Sequence, residues 1–146
     1  MDRDFVSTTS IVIEAPVAKI WEALVNPEIV KKYFFGAEVV SSWKEGGPIT
    51  FKGEYQGNIY EEKGLILQYK PERVLQYTHW SNLEGLPDVP ENYRNWTFDL
   101  SEAGTEVLLS ITEDNIPTEK KRERSDQFWD GVLSTIKQLL EENEAV

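Results

Sequence analysis

The sequence predicts an α+β domain in which one long C-terminal helix covers a seven-stranded antiparallel sheet. Three observations carry this expectation. Strand-like patterning opens the chain and fills its middle, two short helical patterns follow the first strand, and residues 118–143 repeat apolar side chains at helical spacing. The 146 residues suit one domain, 1–146, long enough to bury a core.

Residues 5–13 are β-branched and aromatic and read as a strand, with Ile11 and Ile13 on one side and Val12 on the other. Pro16 stands where a helix begins, since its missing N–H costs nothing there. Val17, Ile20, Trp21, Leu24 and Val25 give that helix one apolar face. Asn26-Pro27 interrupts it, and a second short helix turns Ile29, Val30, Tyr33 and Phe34 inward before Gly36. Strands are expected at 37–43, 48–55, 58–69, 72–80, 92–101 and 104–114. The turns between them are short (Gly46-Gly47-Pro48, Gln56-Gly57-Asn58, Lys70-Pro71-Glu72, Glu102-Ala103-Gly104), which implies an antiparallel meander. Trp96, Phe98 and Leu100 alternate with Asn95, Thr97 and Asp99, as in a sheet with one covered face and one wet face.

Thr118 can cap the final helix. Phe128, Trp129, Val132, Leu133, Ile136, Leu139 and Leu140 then fall within roughly a 140° arc. Its polar first turns, 119–127, are expected to project past the core, and Gly131 to lie on the exposed face. The expected core comprises Ile13, Trp21, Leu24, Phe51, Leu75, Trp96, Phe98, Leu109, Val132, Ile136 and Leu139.

Composition narrows the function. Fifteen Lys plus Arg against 26 Asp plus Glu leave a net charge of −11, which argues against binding duplex nucleic acid. With no Cys and one His, there is no thiolate chemistry, disulfide or multi-histidine metal site, and no cofactor is expected. No apolar run approaches the roughly 18 residues of a membrane helix. Met1–Asp4 lacks the basic start of a secretion signal, so the expectation is a cytoplasmic protein without membrane contact.

His79 shares a strand face with Leu75 and Tyr77, and either ends its strand bonded to a neighbour or touches a ligand. No serine sits in a nucleophile elbow, so no catalytic residue is assigned. Gly46-Gly47 reads as a hairpin turn, because no helix N-terminus follows to receive a phosphate. Glu61-Glu62 and Glu113-Asp114 are adjacent strand residues that point to opposite faces, and Glu141-Glu142-Glu144 ends a helix; all read as solvated charge. Residues 81–91 form the one long connection, with Gly85, Pro87 and Pro90, and fit either a lid or an extended hairpin tip.

The stretch IVIEAPVAKIWEALVNPEIVKKYF resembles the opening of the activator-of-heat-shock-protein-90-ATPase homology domain. The Gly46-Gly47 turn, the run from Lys70 to Thr78 and the aromatic-then-leucine final helix match in order, so the likeness covers nearly the whole chain. The resemblance implies the START-like, helix-grip fold, in which a curved sheet wraps the last helix. It also implies a cavity between the two, faced by Leu75, Tyr77, His79, Trp96, Phe98, Phe128, Trp129 and Val132. The family commonly has a small residue where Phe128 stands, so the space is expected to suit a compact apolar or aromatic molecule. A binding module is therefore the leading expectation. One alternative is a cavity enzyme of the aromatase/cyclase type, using His79 and Tyr77 with Tyr93, Arg94 or Asn95 as remote options. The other is a chaperone-associated interaction domain, although nothing in the chain corresponds to the co-chaperone's separate N-terminal half.

Overall fold

A computed structural model describes residues 5–144, with the side chains of 142–144 outside that description. The chain runs β1 (Phe5–Ile13), α1 (Val17–Val25), α2 (Pro27–Tyr33), β2 (Glu38–Ser41), β3 (Pro48–Tyr55), β4 (Asn58–Lys70), β5 (Val74–Ser81), β6 (Arg94–Ala103), β7 (Glu106–Ile116) and α3 (Glu119–Glu144). One curved seven-stranded antiparallel sheet has the order β1-β7-β6-β5-β4-β3-β2. The first strand thus lies beside the last, and the rest is a meander.

Local chemistry sets the boundaries. Asn26 accepts from the Glu28 N–H at 2.9 Å and starts α2, with Pro27 at its first position. Thr118 accepts from the Lys121 N–H at 3.1 Å and starts α3. β6 and β7 each lie about two residues later than their sequence pattern suggested, because Ala103 pairs with Glu106 across a tight Gly104-Thr105 turn. At the other end of β6, Pro90–Asn92 is taken up by a 3₁₀ turn.

Ile13, Trp21, Leu24, Phe51, Leu75, Trp96, Phe98, Leu109, Val132 and Ile136 are buried as expected. Leu139 is not. Leu140 takes the inward position, because Leu139 falls toward the margin of the apolar arc once α3 is laid against β1. The polar first turns of α3 do not project free either. Ser7 Oγ donates to Asp126 at 2.5 Å, Ser125 is buried, and Lys121 reaches Glu84 at 3.2 Å. Further along, Lys137 donates to the Val12 carbonyl at 2.7 Å, and Glu141 accepts from the Glu14 N–H at 2.9 Å. α3 is therefore fastened to the β1 segment near both its ends.

Candidate functional site

The inner face of the sheet changes character along its strands. At one end Leu75, Phe98, Leu109 and Ile111 pack under Trp129, Val132, Leu133 and Ile136 of α3. At the other end the inward positions are His79 and Ser81 on β5, Arg94 on β6 and Glu113 on β7, all buried. Alternation along each strand carries these polar residues to the same side as the core. The first turns of α3 match them, with Lys121, Arg124 and Ser125 over the polar end.

The charges are paired. Arg94 Nη1 donates to Glu113 Oε2 at 2.8 Å, and Trp129 Nε1 donates to Glu113 Oε1 at 2.9 Å. Burial alone would raise the Glu113 carboxyl, but the Arg94 charge and the hydrogen bonds from Arg94, Trp129 and Ser125 outweigh it and hold it below its ordinary range. Arg94 Nη2 also meets Glu84, from the 3₁₀ turn Asn82–Glu84 that follows β5. Arg94 Nε and Trp96 Nε1 are buried donors without a partner among the described residues. His79 Nε2 lies 2.8 Å from Glu62 Oε1, and its ring stacks on Trp96 with centroids 3.7 Å apart. Next to a carboxylate, Nε2 carries the proton, and in the neutral ring Nδ1 becomes the acceptor.

Two adjoining recesses open here. A polar one of about 320 Å³ is lined by Glu62, His79, Ser81, Glu84, Arg94, Glu113, Lys121 and Arg124. An apolar one of about 440 Å³ is lined by Phe34, Phe35, Ala37, Phe51, Tyr55 and Tyr60. Glu62, Leu83, Trp96 and Phe128 border both. Phe34 and Phe128 are parallel, with centroids 6.1 Å apart, so α2 and α3 each contribute an aromatic wall.

Of the eight residues nominated from sequence, only His79, Trp96 and Phe128 line this space. Leu75, Tyr77, Phe98, Trp129 and Val132 are sealed in the core. The reason is packing, since Trp129 meets Trp96 edge-on at 4.7 Å and Phe98 at 5.8 Å, filling the space between helix and sheet. Burial pushes the Tyr77 phenol well above its ordinary range, with Tyr33 and Glu62 adding to the effect. Among the remote options, Arg94 joins the site. Asn95 instead bonds Asp114 at 2.8 Å through its backbone N–H, and the Tyr93 hydroxyl donates to Asp88 at 2.6 Å. Desolvation and that carboxylate push the Tyr93 phenol up to about 12.

The solvated reading of the carboxylates fails for Glu62 and Glu113, which face inward to the cross-strand partners His79 and Arg94. Glu141 is tied to Lys137 and Glu14, and the side chains of Glu142 and Glu144 lie outside the described residues. The long connection is largely an ordered hairpin tip. Trp80 Nε1 donates to the Pro87 carbonyl at 3.2 Å, and Lys63 pairs with Asp88 at 2.6 Å. Among the described residues, no group of three His, Asp or Glu side chains is arranged to hold a metal, and no helix is long and apolar enough to cross a membrane.

A curved antiparallel sheet closed over by a C-terminal helix, with a recess at one end, defines a START-like, helix-grip domain. Within that class the chain belongs to the Activator of Hsp90 ATPase homolog 1-like protein family, whose model matches residues 14–141. The solution structure of ChR145 from Cytophaga hutchinsonii is 45% identical, with a TM-score of 0.86 and full coverage of both chains. The Aha1 dimer from Colwellia psychrerythraea shares the fold at 18% identity and a TM-score of 0.72, over 93% of this chain and 96% of that one. CalU16 from Micromonospora echinospora does so at 21% identity and 0.69, over 94% and 84%. No curated protein matches the chain.

Proposed function

We propose that this domain binds a compact small molecule with an apolar or aromatic body, and that Phe34, Phe35, Phe51, Tyr60, Trp96 and Phe128 form its seat. The supporting observation is the apolar recess of about 440 Å³, walled by aromatic rings and open to solvent beside a polar chamber. Concave, mostly apolar sites with a few polar groups at one end are the usual form of ligand pockets. A long acyl chain does not fit this reading, because Trp129 and its neighbours close the route along α3.

The test is a titration with neutral N-phenyl-1-naphthylamine followed by ¹⁵N–¹H chemical shifts. Saturable shifts clustered at Phe34, Phe35, Ala37, Tyr60, Leu83 and Phe128 are expected. No saturable shift, or shifts concentrated on the outer sheet face, would overturn the reading.

A second reading, an enzyme working inside the same recess, is favoured by one feature. His79 is oriented by Glu62 and lines the polar chamber, an arrangement suited to general-base chemistry. An aryl ketone that exchanged its α-hydrogens with deuterated solvent in the wild type, but not in His79→Gln, would support that reading.

A further inference from the structure

We propose that Arg94, Lys121 and Arg124 form a carboxylate-binding subsite at the polar end of the recess, and that Glu84 occupies it when no ligand is bound. The inference rests on the ligand-binding reading above and names the ligand class: an aromatic body carrying one carboxylate.

Charge balance is the first argument. The polar recess sets three fixed cations (Arg94, Lys121 and Arg124) against three carboxylates (Glu62, Glu84 and Glu113), with His79 as its remaining titratable group. Each carboxylate has a partner: Glu62 has His79, Glu113 has Arg94 and Trp129, and Glu84 has Arg94 and Lys121. The cations are not saturated in return. Arg94 Nε has no acceptor, and Arg124 makes no hydrogen bond or ion pair among the described residues. If Glu84 leaves, the recess holds one surplus positive charge, and a single ligand carboxylate restores the balance.

The three carboxylates also differ in how firmly they are held. Glu113 is 3% exposed and fixed by three donors from β6 and α3, and Glu62 belongs to a central stretch of β4. Glu84 instead ends a three-residue 3₁₀ turn, and its side chain is 26% exposed. The turn closes on Gly85 at φ +76°, a backbone conformation that side-chain-bearing residues rarely adopt. Its neighbour Leu83 borders both recesses. Exchange of Glu84 for a ligand carboxylate therefore clears the polar end and moves a residue from the wall of the apolar one. Arginine is suited to such an exchange, since its planar fork meets a carboxylate through two parallel N–H groups.

The test compares 2-naphthoate with its neutral isostere 2-naphthamide by calorimetric titration of the full chain. Glu84→Gln is expected to tighten naphthoate about fivefold, the order associated with freeing one half-buried ion pair. Arg124→Gln is expected to weaken naphthoate by a similar factor, and naphthamide to change less than naphthoate in each variant. A gain of affinity cannot arise from partial unfolding. Naphthoate affinity unchanged in Glu84→Gln, or both ligands shifted alike, would overturn the inference. Uptake of N-phenyl-1-naphthylamine with no naphthoate preference would defeat this subsite alone, whereas no uptake would defeat the binding reading beneath it.

Discussion

Arg94 and Glu113 face each other across neighbouring strands β6 and β7 at 2.8 Å, and each is less than a tenth exposed. Neither is tolerable there alone, because an unpaired buried charge costs several kcal/mol. Trp129 completes the arrangement by donating to the second Glu113 oxygen, which couples the packing of α3 to the polar end of the sheet.

This pair fixes a pH dependence. The folded-state pKa of Glu113 is lowered, so its contribution to stability is present above the ordinary carboxylate range and is lost as pH falls through the folded value. Arg94→Met leaves the carboxyl buried without its cation, and burial then raises its pKa. The variant should lose about 3–5 kcal/mol at pH 7 and recover part of that by pH 5, where the acid becomes neutral. Urea unfolding at both pH values checks this, and a wild-type-like slope between them would refute it.

Two glycines make opposite predictions. A Cβ on Gly64 would lie 1.6 Å from the Thr78 carbonyl oxygen on β5, so Gly64→Ala must force the strands apart. A loss of about 3 kcal/mol or more is expected, as for other backbone-incompatible substitutions. A methyl group on Gly131 of α3 would meet no atom within 4 Å beyond its own helical turn, so Gly131→Ala should gain about 0.5–1 kcal/mol from helix propensity. Thermal melts of the two variants decide both.

Phe128 is partly buried between Phe34, Phe35 and Trp129. Phe128→Ala should cost about 2 kcal/mol, less than the range for a fully buried phenylalanine, and should join the two recesses more widely. Affinity for naphthalene-sized neutral probes should fall while affinity for bulkier ones rises. Equal losses for both sizes would show that the ring contributes contact and does not limit size.

Truncation after Gln127 removes Trp129, Val132, Leu133, Ile136 and Leu140, all buried against the sheet. The shortened chain should show no cooperative thermal transition. A melt at the wild-type temperature would contradict the architecture.

Periodicity made the fold legible, because each strand and helix buries one face and the pattern shows which residues share it. The site was less legible. Alternation says that Glu61 and Glu62 point apart, but not that Glu62 is the inward one facing His79 from the neighbouring strand. The same holds for Arg94 and Glu113, whose partnership depends on the register of β6 against β7. His79 stands out in the sequence because it is the lone histidine, while Phe34 of the aromatic wall reads as helix packing and Phe35 carries no signal of its own. The nominated Leu75 and Val132 failed as wall residues because face and depth are separate questions, and only packing against Trp129 settles depth.

The pairing of β1 with β7, and the fastening of α3 to the β1 segment, have a consequence during synthesis. Strands β2 to β6 can pair in order as they leave the ribosome. β1 emerges before them but has no neighbour until residues 106–116 have been made, and α3 can seal the sheet only after that. The opening strand must therefore stay unpaired while the whole meander is being made, with Ile11 and Ile13 uncovered. Such long-range closure slows folding and places its last step after α3 has emerged. Holding that strand harmless until its partner arrives falls to its serines and threonines at positions 7–10.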